Sequence, residues 1–193
     1  APHGHMAIGA TVFPTSIGLA STWDKELLSE VGRTIARELR AQGGHIGYGP
    51  VIDLAREPRW SRVEETYGED TYLTSEMAAA MVRGTGPKHN GWDKGVISTL
   101  KHFVAYGIPE GGHNGNPSNV GERDLHENFL PAFKSAIDAG ALSVMTSYNS
   151  IDGVPSTGNP ELLRGILKYD WGFDGFVVSD LVSVVPGTDP ALI

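Results

Sequence analysis

Asp180 closes a short apolar run, Phe176-Val177-Val178, that is entered through Gly175 and left through Ser179. A β-branched run of this kind reads as a strand buried on both faces. A carboxylate at the C-terminal end of such a strand stands where α/β proteins bind their ligands. A Ser-Asp pair also starts turns and caps helices, so what the rest of the chain brings to the same place decides between the two readings. Three more apolar runs end in polar residues. Residues 45–52 lead into Asp53 and a loop to Asp70 that carries Arg56, Arg59 and Arg62. Residues 96–103 deliver Lys101-His102, and residues 142–147 end at Tyr148-Asn149. A lysine and a histidine at a buried strand end are costly without polar partners, so ligand binding competes there with a satisfied core histidine.

The elements that must hold these residues follow from periodicity. Leu28, Val31, Ile35 and Leu39 form one apolar stripe behind Asp24 as N-cap and Glu26 in the first turn, and Gly43-Gly44 ends it. A second helix is expected from about Thr71, with Leu73, Met77 and Ala80 inward, to the neighbourhood of residues 84–87. Leu125, Phe129 and Phe133 mark a third, which Pro131 should kink or interrupt and Gly140 should stop. Asn159-Pro160-Glu161 combines an N-cap, a first-turn proline and a first-turn acid, opening a fourth helix through Leu163, Ile166 and Leu167. Helix and strand alternate four times. That order predicts an α/β fold with a parallel sheet, and four strands amount to part of a (β/α)8 TIM-type barrel whose strand ends converge on one face. In the 53–70 loop the mixed charges predict a salt-bridged wall to a site, and Trp60 and Tyr67 need a surface to pack on.

Composition narrows the function classes. The chain has 193 residues, 40% of them apolar and 20% charged, with a formal net charge of −8 and no cysteine. This is an ordinary globular balance. No basic run invites nucleic acid, no apolar run approaches the length that crosses a bilayer, and disulfide and thiolate-metal chemistry are excluded. His3 and His5 lack a third ligand at suitable spacing, so no metal site is expected. There is no Gly-Lys-Ser/Thr phosphate loop, which argues against a phosphate-binding barrel. The chain opens on Ala1-Pro2-His3-Gly4-His5-Met6 without an initiating methionine, the expectation being a processed or truncated product.

Taken together, several motifs resemble family 3 of the glycoside hydrolases, the β-glucosidase family. They are Pro2-His3-Gly4, Phe13-Pro14, the block from Arg56 through Arg-Trp-Ser-Arg62 to Tyr67-Gly-Glu-Asp70, Lys101-His102-Phe103, Ser147-Tyr148-Asn149, and residues 172–180 ending in Val-Val-Ser-Asp180. Each is weak alone, and their common order from Pro2 to about Asp180 is specific. The resemblance implies hydrolysis of terminal non-reducing β-D-glucosyl residues from β-glucosides or oligosaccharides by a retaining mechanism, without a metal or organic cofactor. It implies Asp180 as the catalytic nucleophile, Tyr148 as the phenol that steadies it, and Arg62, Lys101 and His102 as binders of the sugar hydroxyls. It also implies a cis Lys101–His102 peptide and a periplasmic or secreted location. A β-xylosidase of the same family, or a non-catalytic carbohydrate-binding half-barrel, are the alternatives.

Three departures shape the expectations. The family's acid just before the Ala-Pro-His-Gly stretch is not in this chain, Leu181 stands where tryptophan often follows the nucleophile, and residues 184–193 do not follow the family pattern. The family's general acid/base is typically a Glu in a following α/β domain, whereas a retaining site needs two carboxyls roughly 5 Å apart. Glu110 and His113 lie in a suitable loop. However, residues 101–106 read Lys-His-Phe-Val-Ala-Tyr rather than the Lys-His-Phe-Pro-Gly-His of the N-acetylglucosaminidase branch, so His113 is not assigned that role. Residues 1–193 are therefore expected to be a single partial catalytic barrel domain, with the N-terminal part of the barrel and the following α/β domain absent. Its partners would be the β-linked sugar and a second chain completing the barrel; nucleic acid and membrane are not expected.

Overall fold

The Asp24 cap read from the sequence is in place, and Asp70 supplies a second cap that was not foreseen. In a computed structural model describing residues 3–184, the Asp24 carboxylate accepts from Leu27 N at 2.9 Å, and that of Asp70 accepts from Leu73 N at 2.7 Å. Pro2 and residues 185–193 lie outside the described residues, and with them most of the stretch expected to leave the family pattern. A short helix α1 (Ser16–Ala20) precedes the capped pair α2 (Lys25–Ala41) and α3 (Thr71–Thr85). These two pack against each other at very close range. A Cβ on Gly84 would come within 2.2 Å of Ser29 O, and one on Gly32 within 2.9 Å of Met81 O, so neither position has room for a side chain.

Between the long helices lies β1 (Ile46–Gly47), much shorter than the strand expected over residues 45–52. The ladder stops at Gly47 and resumes only as an isolated bridge between Val51 and Lys101, with a cis Gly49–Pro50 bond between the two. Proline has no N–H to give to a ladder, which is one reason this strand cannot run through. A further turn of helix, α4 (Pro87–Asn90), leads into β2 (Ile97–Phe103).

The third apolar stripe is interrupted as its proline predicts. The segment α5 (Glu122–Asp124) passes through a π-helical stretch, Leu125–Phe129, into α6 (Pro131–Asp138). Leu130 N reaches back to Leu125 O at 3.0 Å, a wider ring than an α-helix makes. Next come β3 (Ser143–Thr146), a small hairpin of β4 (Ser150–Ile151) and β5 (Val154–Pro155), a π-wound helix (Glu161–Asp170) and β6 (Phe176–Val178). Asn159 Oδ1 accepts from Glu161 N and Leu162 N at 3.0 and 3.2 Å, the cap the sequence leads one to expect.

The sheet order is β1-β2-β3-β6, and all its pairings are parallel. Parallel strands alternating with helices make this an α/β fold of the partial (β/α)8 type. The core lies between sheet and helices: Leu100, Phe103 and Val144 meet Leu28, Met77, Val82 and Phe133. Phe103 and Phe133 meet edge to face at 5.0 Å. One expectation is corrected here. Phe176 is 42% exposed and β6 is half-buried, because among the described residues it is an edge strand paired only with β3 and not a strand covered on both faces.

Candidate active site

The residues singled out by the sequence converge at the C-terminal ends of the parallel strands. Asp180 follows β6 with its side chain 13% exposed, and its Oδ2 lies 3.5 Å from His102 Nε2. His102 is fully buried in β2. The Lys101–His102 peptide is cis, as the resemblance implies, and so is Phe103–Val104. Lys101 lies in the combined field of Arg62, Glu65, Asp180 and Asp53. Burial first, and then the Arg62 guanidinium, hold its ammonium below the ordinary lysine pKa, against the opposing pull of the three carboxylates.

Arg62 is fixed by a bidentate pair with Glu65, Nε to Oε1 at 2.8 Å and Nη2 to Oε2 at 2.9 Å. Its guanidinium also lies 5.5 Å above the centre of the Tyr106 ring. Burial pushes the Glu65 carboxyl up, but the hydrogen bond and charge of Arg62 outweigh it and leave the group below its ordinary value.

Tyr148 is placed next to the Asp180 carboxylate, whose charge and hydrogen bonding both act on its phenol. Its hydroxyl donates to Leu181 O at 2.8 Å, while Asp180 Oδ1 accepts from Leu181 N at 2.7 Å. The phenol thus secures the turn that follows Asp180. Burial and then the negative charge of Asp180 raise its pKa.

The 53–70 loop is the salt-bridged wall foreseen from its charges, with Arg56 on Asp124 at 3.0 Å and Arg59 on Glu57 at 2.7 Å. Trp60 and Tyr67 are both buried. Trp60 Nε1 donates to Asn114 Oδ1 at 2.8 Å, and its ring meets Tyr106 edge-on at 5.2 Å. Elsewhere, His3 Nδ1 is engaged with Phe13 O at 2.8 Å, and no cluster of three or more metal-ligating residues occurs among the described residues.

Glu65 and Tyr106 carried no separate signal in the sequence, and Asp53 was marked there only as a strand end. Asp53 and Glu65 each grip one of the candidate sugar binders, and Tyr106 forms the aromatic floor, its ring 4.8 Å from that of His102 and 6.1 Å from that of Tyr148. Acids recurring around the charged 53–70 loop were the available hint, but only contacts across 49 residues pair Asp53 with His102.

A parallel α/β sheet with its polar and ionisable residues gathered at the C-terminal strand ends is the architecture of barrel enzymes. The family model described as glycosyl hydrolase family 3 N terminal domain matches residues 1–191, and the chain belongs to that family. The match continues past Asp180, where the motif resemblance ended, into the tail that had been expected to depart from the family pattern. A periplasmic beta-glucosidase of Salmonella typhimurium is 41% identical over 88% of this chain and 22% of its own length. A beta-xylosidase of Formosa agariphila is 44% identical over 88% of this chain and 24% of its own. Among solved structures, the beta-glucosidase of Listeria innocua in complex with gluconolactone superposes with a TM-score of 0.88 at 40% identity, covering 94% of this chain and 25% of that one. The exo-1,3/1,4-beta-glucanase of a Pseudoalteromonas species gives a TM-score of 0.90 at 38% identity, over 95% and 23%. The chain spans about a quarter of the length of these relatives.

Proposed function

We propose that this chain is the nucleophile-bearing part of a retaining glycoside hydrolase that removes terminal non-reducing β-D-glucosyl residues. The observation that carries the reading is the Asp180 carboxylate, nearly buried, at a strand end beside His102 and in the field of Lys101. In this reading Asp180 attacks the anomeric carbon, the aglycone leaves with the bonding electrons, and water later cleaves the glycosyl ester. Arg62 and Lys101 donate charged hydrogen bonds to the sugar hydroxyls and His102 pairs with one through its ring, bonds that tighten as the oxocarbenium-like transition state forms. Tyr148 keeps the turn after Asp180 in place. No metal or organic cofactor takes part.

The second carboxyl is assigned outside the chain. The other two acids that share the field of Lys101 are already engaged, Asp53 by His102 and Glu65 by Arg62. Residues 1–193 are read accordingly as a single partial barrel domain of a larger enzyme, completed by further polypeptide. On its own it is expected to turn over little or no aryl β-glucoside.

The test is Asp180→Ala in the full-length enzyme that contains this chain. Turnover of an aryl β-glucoside should fall by several orders of magnitude while glucose binding is retained. Turnover within tenfold of the unsubstituted enzyme would remove Asp180 from the mechanism.

Xyloside hydrolysis is the second reading, favoured by xylosidase relatives at 38% and 44% identity beside the glucosidase at 41%. The ratio of kcat/KM for aryl glucoside and aryl xyloside separates the two. A periplasmic or secreted location rests on the periplasmic name of one relative. Recovery of the enzyme only in the cytoplasmic fraction would contradict it. No helix among the described residues is long and apolar enough to cross a membrane.

A further inference from the structure

The contacts of Asp53 deepen the reading above and rest on it. Asp53 sits where the chain leaves the β1 segment, is 2% exposed, and directs its whole carboxylate at one residue. Oδ2 lies 2.8 Å from His102 Nδ1, and both oxygens lie 3.2 Å from the backbone N of His102. A backbone N–H can only donate and an ionised carboxylate can only accept, so the proton in the ring contact belongs to Nδ1. The other ring nitrogen, Nε2, is buried, makes no hydrogen bond, and stands 3.5 Å from Asp180 Oδ2. Burying an imidazole nitrogen with nothing to bond is costly, and here that nitrogen lies beside the proposed nucleophile.

We propose that Asp53 is a positioning residue. It keeps a proton on Nδ1 of His102 and locks the ring by a second bond to its backbone, so that Nε2 is the atom offered, next to Asp180, to a hydroxyl of the bound sugar. The Tyr106 ring packs edge-on against the imidazole at 4.8 Å. A carboxylate is needed for this task, and its amide isostere would reverse it. In Asp53→Asn the single carbonyl oxygen is claimed by the His102 backbone N–H. The amide nitrogen then faces Nδ1 and must donate to it, which drives the ring proton to Nε2.

The experiment reads the ring directly. The full-length enzyme that contains this chain is labelled with nitrogen-15 histidine, and the tautomer of His102 is read from its two ring nitrogens by long-range proton–nitrogen correlation. Its signals are identified among the histidines by their loss in His102→Gln. The unsubstituted enzyme should show a protonated Nδ1, and Asp53→Asn should lose that proton and carry one on Nε2. A bare Nδ1 in the unsubstituted enzyme would overturn the proposal, as would a folded Asp53→Asn enzyme that keeps the Nδ1 proton. The spectrum of the unsubstituted enzyme decides the matter whether or not the variant folds. A merely space-filling role for Asp53 would leave the tautomer unchanged in the isosteric variant. Glucose titrated into the same sample tests the functional reading separately. A protonated Nδ1 with an Nε2 signal unmoved by saturating glucose would count against sugar binding while leaving the hold of Asp53 on the ring intact.

Discussion

Gly107 is where the segment carrying Asp53 is fastened to the segment that follows Lys101 and His102. Its carbonyl accepts from Glu57 N at 3.1 Å, and a Cβ placed on it would lie 2.1 Å from Leu54 O, 2.8 Å from Leu54 C and 3.3 Å from Ala55 N. All three are backbone atoms, so no side chain can rotate away. Gly107→Ala must therefore part the two segments by about 1 Å, and overpacking of that kind costs ~1–3 kcal/mol. With backbone on both sides, the upper end is expected, about 3 kcal/mol. In urea denaturation with an m-value of about 2 kcal/mol/M, the midpoint should fall by roughly 1.5 M with the slope unchanged. Gly158→Ala is the control, since nothing lies within 4 Å of its would-be Cβ, and its cost should stay within about 0.5 kcal/mol. A Gly107→Ala cost below about 1 kcal/mol, or no larger than that of Gly158→Ala, would refute the close approach and with it the fixed placement of Asp53.

Two further perturbations test the site. Because the Glu65 carboxyl is held below its ordinary value in the folded chain, its pairing with Arg62 contributes stability above the unfolded-state pKa of about 4.3 and loses it as pH falls through the lower folded value. Glu65→Gln should cost about 1–2 kcal/mol at pH 7 and much less below pH 4 by the same denaturation assay, and an undiminished cost in acid would contradict the pairing. Tyr148→Phe should leave stability within about 1 kcal/mol, since the phenol is partly exposed, yet lower turnover of the full-length enzyme about tenfold, the factor given by one lost hydrogen bond of about 1.4 kcal/mol. Unchanged turnover would detach the Leu181 turn from catalysis.

Much of the fold could be read locally because its signals are local. The stripe of Leu28 and Val31, the caps at Asp24 and Asn159, and the proline at 131 all act within a turn or two of themselves, and each sits where periodicity puts it. The β1 segment failed that test, since the run over residues 45–52 gave only a two-residue ladder once Gly49–Pro50 interrupted the pairing. The helices Ser16–Ala20 and Pro87–Asn90 and the hairpin after Tyr148 are too short to show a period. Within the site, Arg62, Lys101, His102, Tyr148 and Asp180 stood out through their motifs. What the motifs could not convey was the layer of partners behind them. Asp53 under His102, Glu65 beside Arg62 and the buried Tyr106 acquire their meaning only from long-range packing.

The claim on which the account turns is that Asp180 forms a bond to the sugar. A dinitrophenyl 2-deoxy-2-fluoro-β-glucoside tests it most directly, because its leaving group departs without a proton donor and the fluorine slows breakdown of the glycosyl ester. The full-length enzyme incubated with this reagent should gain the mass of one fluoroglucosyl group, and peptide sequencing by mass spectrometry should place it on Asp180. An enzyme that turns over aryl glucosides but carries the adduct on another residue, or forms none, would contradict it.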